Sequence, residues 1–221
     1  MGSAMARDNP EPADASLRTR VVEEVKERII SGDLPVGARL HERNLSQELG
    51  VSRVPLREAI LTLAAQGLIE IHPRVGAFVK PMSRAYVEDL FEVRWALEPL
   101  AASLAAKNRT DEHLAELERL LREEQAALAA GDDKRGSLAN AEFHLVILKA
   151  SGNDLLYSII APLHSQIQRL FRRTIVSISD KLSVDHGLTL DAVRDRDAER
   201  AAEIARRHVE ETREHSIALA D

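Results

Sequence analysis

Asn140 and His144 stand four residues apart in NAEFHLVILKA, so on a helix both side chains leave the same face and can share one ligand position. His186 in DHGLTLDAV and His208 in ARRHV add two more imidazoles and complete a set of four. Three neutral nitrogens suit zinc or nickel, whereas magnesium and calcium prefer oxygen, so the expected cofactor is a divalent zinc or nickel ion. The Asn140 carbonyl is uncharged and binds a cation less strongly than a carboxylate, which makes it a weak fourth ligand or the partner of a ligand. Any one histidine alone is better read as a cap or a surface residue; the trio carries the inference. His41, His72, His113 and His164 do not join the set convincingly, and His215, seven residues past His208 on the same helical face, is a reserve ligand.

A second group of side chains has the chemistry to read DNA. In HERNLSQELGVSRVPLREAILTLAA, Leu45 and Leu49 give a short first helix one apolar stripe, and Gly50 supplies the backbone freedom its end needs. Ser52 can then accept from the orphan amides of a second helix starting near Arg53, and Pro55 falls in its first turn, where a missing donor costs little. Leu56, Ile60, Leu63 and Ala64 give that helix a face to bury, and Gly67 ends it. Helix, glycine turn, helix is a shape that docks in a major groove. Arg53 and Arg57 are four apart on the second helix, so two guanidinium forks project together toward guanine O6 and N7 or toward phosphates, and Arg43 can reach the backbone alongside. Single helix arginines are ordinarily solvated surface charge, and their grouping on one motif is what favours the DNA reading.

These groups need elements to hold them. After the motif, LIEIHPRVGAFVK has two β-prone runs around the turn Pro73-Arg74-Val75-Gly76, a hairpin that completes a winged helix and brings Arg74 and Gly76 at its tip toward a minor groove. Before it, Val21, Val22, Val25, Ile29 and Ile30 share one face of a helix that ends at Gly32, and Pro35 and Gly37 force a turn. Past Lys80 the texture is Ala- and Leu-rich and helical throughout, with helices expected over 84–106, 111–130, 135–150, 154–177, 184–194 and 197–219, and with Pro99 kinking the first. The fold class is therefore mainly α: a disordered segment 1–16, a winged helix-turn-helix domain 17–80, and an all-α helical bundle 81–221.

Charge supports that division. Residues 17–80 hold 10 Lys/Arg against 8 Asp/Glu and residues 81–221 hold 19 against 25, so a mildly positive head sits on an acidic body within a chain of net charge −6. Such a head binds DNA through a local patch, which suits a sequence-specific protein better than a coating one. Cysteine is absent, which excludes disulfides and thiolate metal sites. No apolar run reaches the length of a membrane span and the N-terminus lacks a signal-peptide core, so a soluble, cytoplasmic protein without membrane partners is expected.

ERNLSQELGVSRVPLREAI followed by GLIEIHPRVGAFV resembles the winged helix of the GntR family of bacterial transcription regulators over residues 42–79. The resemblance implies DNA contacts from Arg43, Ser52, Arg53, Pro55 and Arg57, with Gly76 in the wing. His41 stands where that family often has a helix-capping Ser, so the first helix is expected to start less firmly. DLFEVRWALEPLAASLAA, NAEFHLVILKASGN and DHGLTLDAVRDRDAERAAEIARRHV resemble the ligand-sensing bundle (FCD domain) of the FadR branch, which binds a small effector, often a carboxylate, and in many members a divalent metal. Members usually have an Asp where this chain has Asn140, with histidines matching His144, His186 and His208. Arg94 and Glu98, read alone, are an exposed ion pair of little worth; the resemblance implies that Arg94 faces the cavity and clamps the effector carboxylate.

The expected function is a ligand-responsive repressor that binds operator DNA as a homodimer, because a single small head covers little DNA and operators mirror two-fold symmetry. A small organic acid would release it. The alternative is a metal-dependent enzyme with an accessory DNA-binding domain, but there is no HExxH, nucleophile elbow or phosphate loop, and Glu142, two residues from His144, points elsewhere on a helix. A third reading, a constitutive DNA-binding protein, makes the histidine trio a coincidence. Arg53→Ala and Arg57→Ala should each weaken specific operator binding by ~1–3 kcal/mol, the usual size of a lost base contact, and leave the bundle folded. Titration of each variant against operator DNA checks this, and two unaltered affinities would reject the reading helix.

Overall fold

In the computed structural model of the chain, which describes residues 13–218, one compact unit ends at Val79 and a second begins at Lys80. The first opens with α1 (Ala13–Ser31), so residues 13–16, expected to be disordered, are helical; the rest of that segment lies outside the described residues. Ala13 and Ala15 favour helix, and Leu17 packs against the core, which extends the stripe N-terminally. There follow β1 (Arg39–Leu40), α2 (Glu42–Glu48), α3 (Arg53–Ala65), β2 (Ile69–His72) and β3 (Gly76–Val79). The strands form an antiparallel sheet in the order β1-β3-β2, with Arg39 opposite Phe78 and His72 opposite Gly76. Strand β1 was not expected, because two residues are too short for a period-2 pattern.

Val21, Val25 and Ile29 of α1 meet Leu45 of α2, Leu56, Ile60 and Leu63 of α3, and Val79 of β3 in one buried cluster. The end of α3 is closed by two bonds, Gly67 N–H to the Ala64 carbonyl (3.0 Å) and Leu68 N–H to the Leu63 carbonyl (3.0 Å). That is a Schellman cap, with Gly67 taking the left-handed φ of +74° that it requires and Leu63 and Leu68 both buried. Helix α3 is thus fixed at its C-terminal end.

The second unit is α4 (Arg84–Asn108), α5 (Asp111–Ala129), α6 (Asp133–Ala150), α7 (Asp154–Ile160), a 3-10 turn (Ala161–Leu163), α8 (His164–Arg194) and α9 (Ala198–Ala218). Helix α4 packs on α9 and α5 on α6. Small residues Ala101, Ala102, Ala105 and Ala106 let α4 approach closely, and the core is filled by Leu117, Leu120, Phe143, Leu148, Leu190 and Ile204. Ser83, Thr110, Asp132 and Asn153 cap α4 to α7 by accepting from first-turn amides. His113, unassigned in the sequence, completes the α5 cap: its Nδ1 accepts from the Thr110 amide at 3.2 Å.

The helix break expected over 179–185 is absent; α8 runs unbroken from His164 to Arg194, and Pro99 lies within α4 without ending it. The break falls instead at the 3-10 turn, where Pro162 sits in the first positions and loses no needed donor. Asp185 is tolerated inside α8 because its carboxylate is held by Arg207 at 3.1 Å from α9. Among the described residues no helix is long and apolar enough to cross a membrane.

Leu63 has no exposed surface while Leu61, on the opposite face of α3, is 62% exposed. Leu63→Ala is expected to cost about 2–5 kcal/mol, the range for a buried Leu, and Leu61→Ala less than about 0.5 kcal/mol. Urea denaturation of both variants checks the difference.

Candidate functional site

The register of α6, α8 and α9 brings His144, His186 and His208 together, with one ring nitrogen from each within 4.8 Å of the others. The Nε2 atoms of His144 and His186 are 3.3 Å apart. Two nitrogens bound tetrahedrally at ~2.0–2.1 Å from zinc would be separated by about 3.3 Å. Both ring nitrogens of His208 are buried without a hydrogen-bond partner, as is Asn140 Oδ1. Unpaired buried polar groups cost roughly 1–3 kcal/mol each, and a neutral imidazole keeps one lone-pair nitrogen, so a site that leaves Asn140 Oδ1 and His208 without partners beside two more imidazoles fits a cation. His215 is exposed on α9 and outside the cluster; seven residues displace it about 10 Å along the helix, too far to share an ion.

Two carboxylates stand behind the imidazoles, and neither was expected. Glu124 of α5, with no exposed surface, takes His186 Nδ1 at 2.8 Å and Asn140 Nδ2 at 3.0 Å. Burial pushes its carboxyl up, but the charge and hydrogen bond of His186 and the amide of Asn140 outweigh that and hold it below the usual carboxylate range. Asp185 Oδ2 lies 3.4 Å from His208 Nδ1, an ion pair when the ring is protonated but not an aligned hydrogen bond. A signal for Glu124 was present: it falls on the apolar stripe Leu117, Leu120, Ala127 of α5.

Next to the cluster is a cavity of about 40 Å³, lined by Glu98, His144, His164, His186, Thr189 and His208 among others. At ~10–15 Å³ per water centre it has room for an ion and a few waters. The wall is formed by Glu98 rather than Arg94. Arg94 is 2% exposed, with its guanidinium near the rings of Phe91 and Phe171 at 4.7 and 4.9 Å and its Nε and Nη2 on Glu98 at 2.6 and 3.3 Å. The pair is thus buried, not the exposed one that spacing alone implies, and Nη1 is buried without a partner.

In the first unit, Arg43, Arg53 and Arg57 are exposed. Arg57 Nε donates to Glu42 Oε2 at 2.7 Å, a link between α3 and the start of α2 that sequence spacing did not reveal. Ser52 occupies the N-cap of α3 and is exposed, but its hydroxyl makes no capping bond, so the expected cap is not formed. His41 likewise makes no side-chain cap on α2. Pro55 lies in the first turn of α3. Arg74 sits exposed at the wing tip with φ +65°, and Gly76 has φ +136° with Arg39 so close that a Cβ would come within 3.1 Å of Arg39 Nε. A groove of about 580 Å³ between α3 and the wing is lined by Glu42, Arg57, Leu61, Ile71, Arg74 and Gly76.

Burial holds His144 well below its ordinary 6.5, helped by His186, His208 and Arg94, and burial also lowers His208 despite Asp185. A lowered folded value means the unfolded chain binds more protons, so the contribution of these rings to stability is complete above about pH 6.5 and is lost as pH falls below it. The metal-free protein should therefore melt at lower temperature as pH drops from 7.5 to 5.5. Melting curves across that range check this, and the slope should flatten in His144→Gln/His208→Gln.

Residues 17–79 match the bacterial regulatory proteins, gntR family, and residues 89–211 match the FCD domain. The HTH-type transcriptional regulator McbR of Escherichia coli is 33% identical over 148 residues, 67% of this chain and 67% of that protein. The probable D-xylose utilization operon transcriptional repressor of Paenarthrobacter nicotinovorans is 29% identical over 197 residues, 87% of each. The solved structure of E. coli McbR/YncC matches at 26% identity with a TM-score of 0.76, covering 89% of this chain and 94% of that one. With a winged helix-turn-helix head and an FCD bundle in one chain, the protein belongs to the GntR family of bacterial regulators and is a DNA-binding transcription regulator rather than an enzyme.

Proposed function

We propose that this protein is a FadR-branch repressor whose bundle senses a small organic acid through a divalent metal centre, and that it acts as a homodimer on a two-fold operator. The convergence of three imidazoles, His186 and His208 buried and His144 half-buried, beside a cavity is the observation that carries the sensing role. His144, His186 and His208 are the ligands, and Asn140 is a weak fourth ligand or a partner of one. Zinc or nickel suits three nitrogens. A site with three protein ligands leaves positions open for a carboxylate, and Arg94 offers its unpartnered Nη1 to the same group, in competition with Glu98 for the guanidinium. The operator is read by Arg43, Ser52, Arg53, Pro55 and Arg57, with Arg74 and Gly76 at the wing. Repression is favoured by the likeness to the transcriptional repressor of P. nicotinovorans. Val93 and Leu100, exposed seven residues apart on one face of α4, favour self-association.

By linkage, an effector that weakens DNA binding is itself bound more weakly by the DNA complex, by the same factor. Calorimetry of the chelator-stripped, tag-free protein with zinc, repeated with a panel of small carboxylates with and without operator, tests the reading. Zinc uptake near one ion per chain, a carboxylate that binds only the metal-loaded form, and equal coupling factors are expected. His208→Ala should lose metal and carboxylate together. No zinc or nickel uptake by the stripped protein rejects the centre. Sedimentation of the full chain at micromolar concentration should give a dimer, and a monomer would reject that part.

A further inference from the structure

We infer that Glu124 is the positioning carboxylate of the metal centre, setting the orientation of two ligands from different helices through its two oxygens. The inference rests on the metal reading above and concerns a residue outside the ligand set. Glu124 Oε1 takes Asn140 Nδ2 of α6 at 3.0 Å, and Oε2 takes His186 Nδ1 of α8 at 2.8 Å. Glu124 and Asn140 have no exposed surface and His186 is 2% exposed, so water does not compete for these contacts.

An ionised carboxylate only accepts, so each partner must turn a donor toward it. For Asn140 this aims the NH₂ at Glu124 and leaves Oδ1, buried and unpartnered, as the end available to a cation. For His186 it selects the Nδ1–H tautomer and leaves a lone pair on Nε2, the atom 3.3 Å from His144 Nε2. A carboxylate behind an imidazole also makes its free nitrogen a better donor to metal.

The same geometry explains the amide at position 140. An Asp there would set its carboxylate against Glu124 at the distance now spanned by an N–H···O bond, two like charges in a buried site. Glu124 and Asn140 therefore form a matched pair, with the negative charge one residue removed from the ion. Moving the charge should move the function with it: Glu124→Gln removes the acid, and adding Asn140→Asp restores one in a ligand position, beside a Gln amide able to donate to it.

The test is zinc calorimetry on the full, stripped protein. Glu124→Gln should bind zinc about 10–100-fold more weakly than the unaltered protein, the usual size of an outer-shell loss. Glu124→Gln/Asn140→Asp should recover most of that loss. A purely structural Glu124 would lower the melting temperature of Glu124→Gln and leave zinc affinity unchanged, and that result overturns the inference. If the unaltered protein takes up no zinc, the centre and this assignment fall together; equal zinc binding by both proteins removes only the role of Glu124. Should Glu124→Gln not fold, nitrogen-15 spectra of the metal-free unaltered protein decide: His186 protonated at Nδ1 and bare at Nε2 is expected, and the Nε2–H tautomer overturns the inference.

Discussion

A carboxylate without access to water is the constraint that the bundle has to satisfy. The apolar stripe of α5 carries Glu124 inward together with Leu117, Leu120 and Ala127, and the cost of burying the charge then has to be met from other helices. Donors arrive from Asn140 of α6 and His186 of α8, which fixes the rotation and register of three helices against one another. Breaking a buried pair on one side leaves a lone charge, typically at about 3–5 kcal/mol. Helices held this firmly can present imidazoles within bonding range of a common point; helices packed only by Leu and Ala have many near-equivalent arrangements.

The same logic recurs around the cavity. Arg94 is paired with Glu98 and flanked by two phenylalanine rings, and Asp185 is shared between Arg207 and His208. Buried pairs of this kind add little net stability over an apolar core of equal volume, because desolvation offsets the attraction. Their effect is on which arrangement is allowed. Each named acid has a cationic or N–H partner, while burial favours the uncharged form of His144 and His208. The cavity wall therefore presents imidazole nitrogens beside one carboxylate, Glu98, whose charge is balanced by Arg94.

Much of this was legible in the sequence and some of it was not, for physical reasons. The head could be read because each of its elements has a local signal: the period of Leu56, Ile60 and Leu63, the glycine at 67, the turn residues 73–76. The histidine trio could be read because imidazoles are few and one pairs with Asn140 at helical spacing. Glu124 is not legible as a site residue because an acid on an amphipathic helix is usually solvated, and only the packed bundle shows that the stripe carries it inward. The continuity of α8 was missed because Ser and Asp are favoured at helix ends, and the Arg207 contact that holds Asp185 within a helix is far away in sequence. Arg57 was read as a free fork; Glu42, fifteen residues earlier, holds it, and no spacing rule within one helix finds that partner.

Head and bundle use charge in opposite regimes. Arg43, Arg53, Arg57 and Arg74 are exposed, so the attraction of such charges for an anionic partner is screened over about 8 Å at physiological ionic strength and weakens as salt rises. Glu124, His186, His208 and Arg94 are sheltered from solvent, where salt has little purchase. A head with 10 Lys/Arg against 8 Asp/Glu can bind DNA through a local patch although the whole chain carries a net charge of −6. Salt therefore acts directly on the exposed charges of the head and much less on the sheltered groups of the bundle.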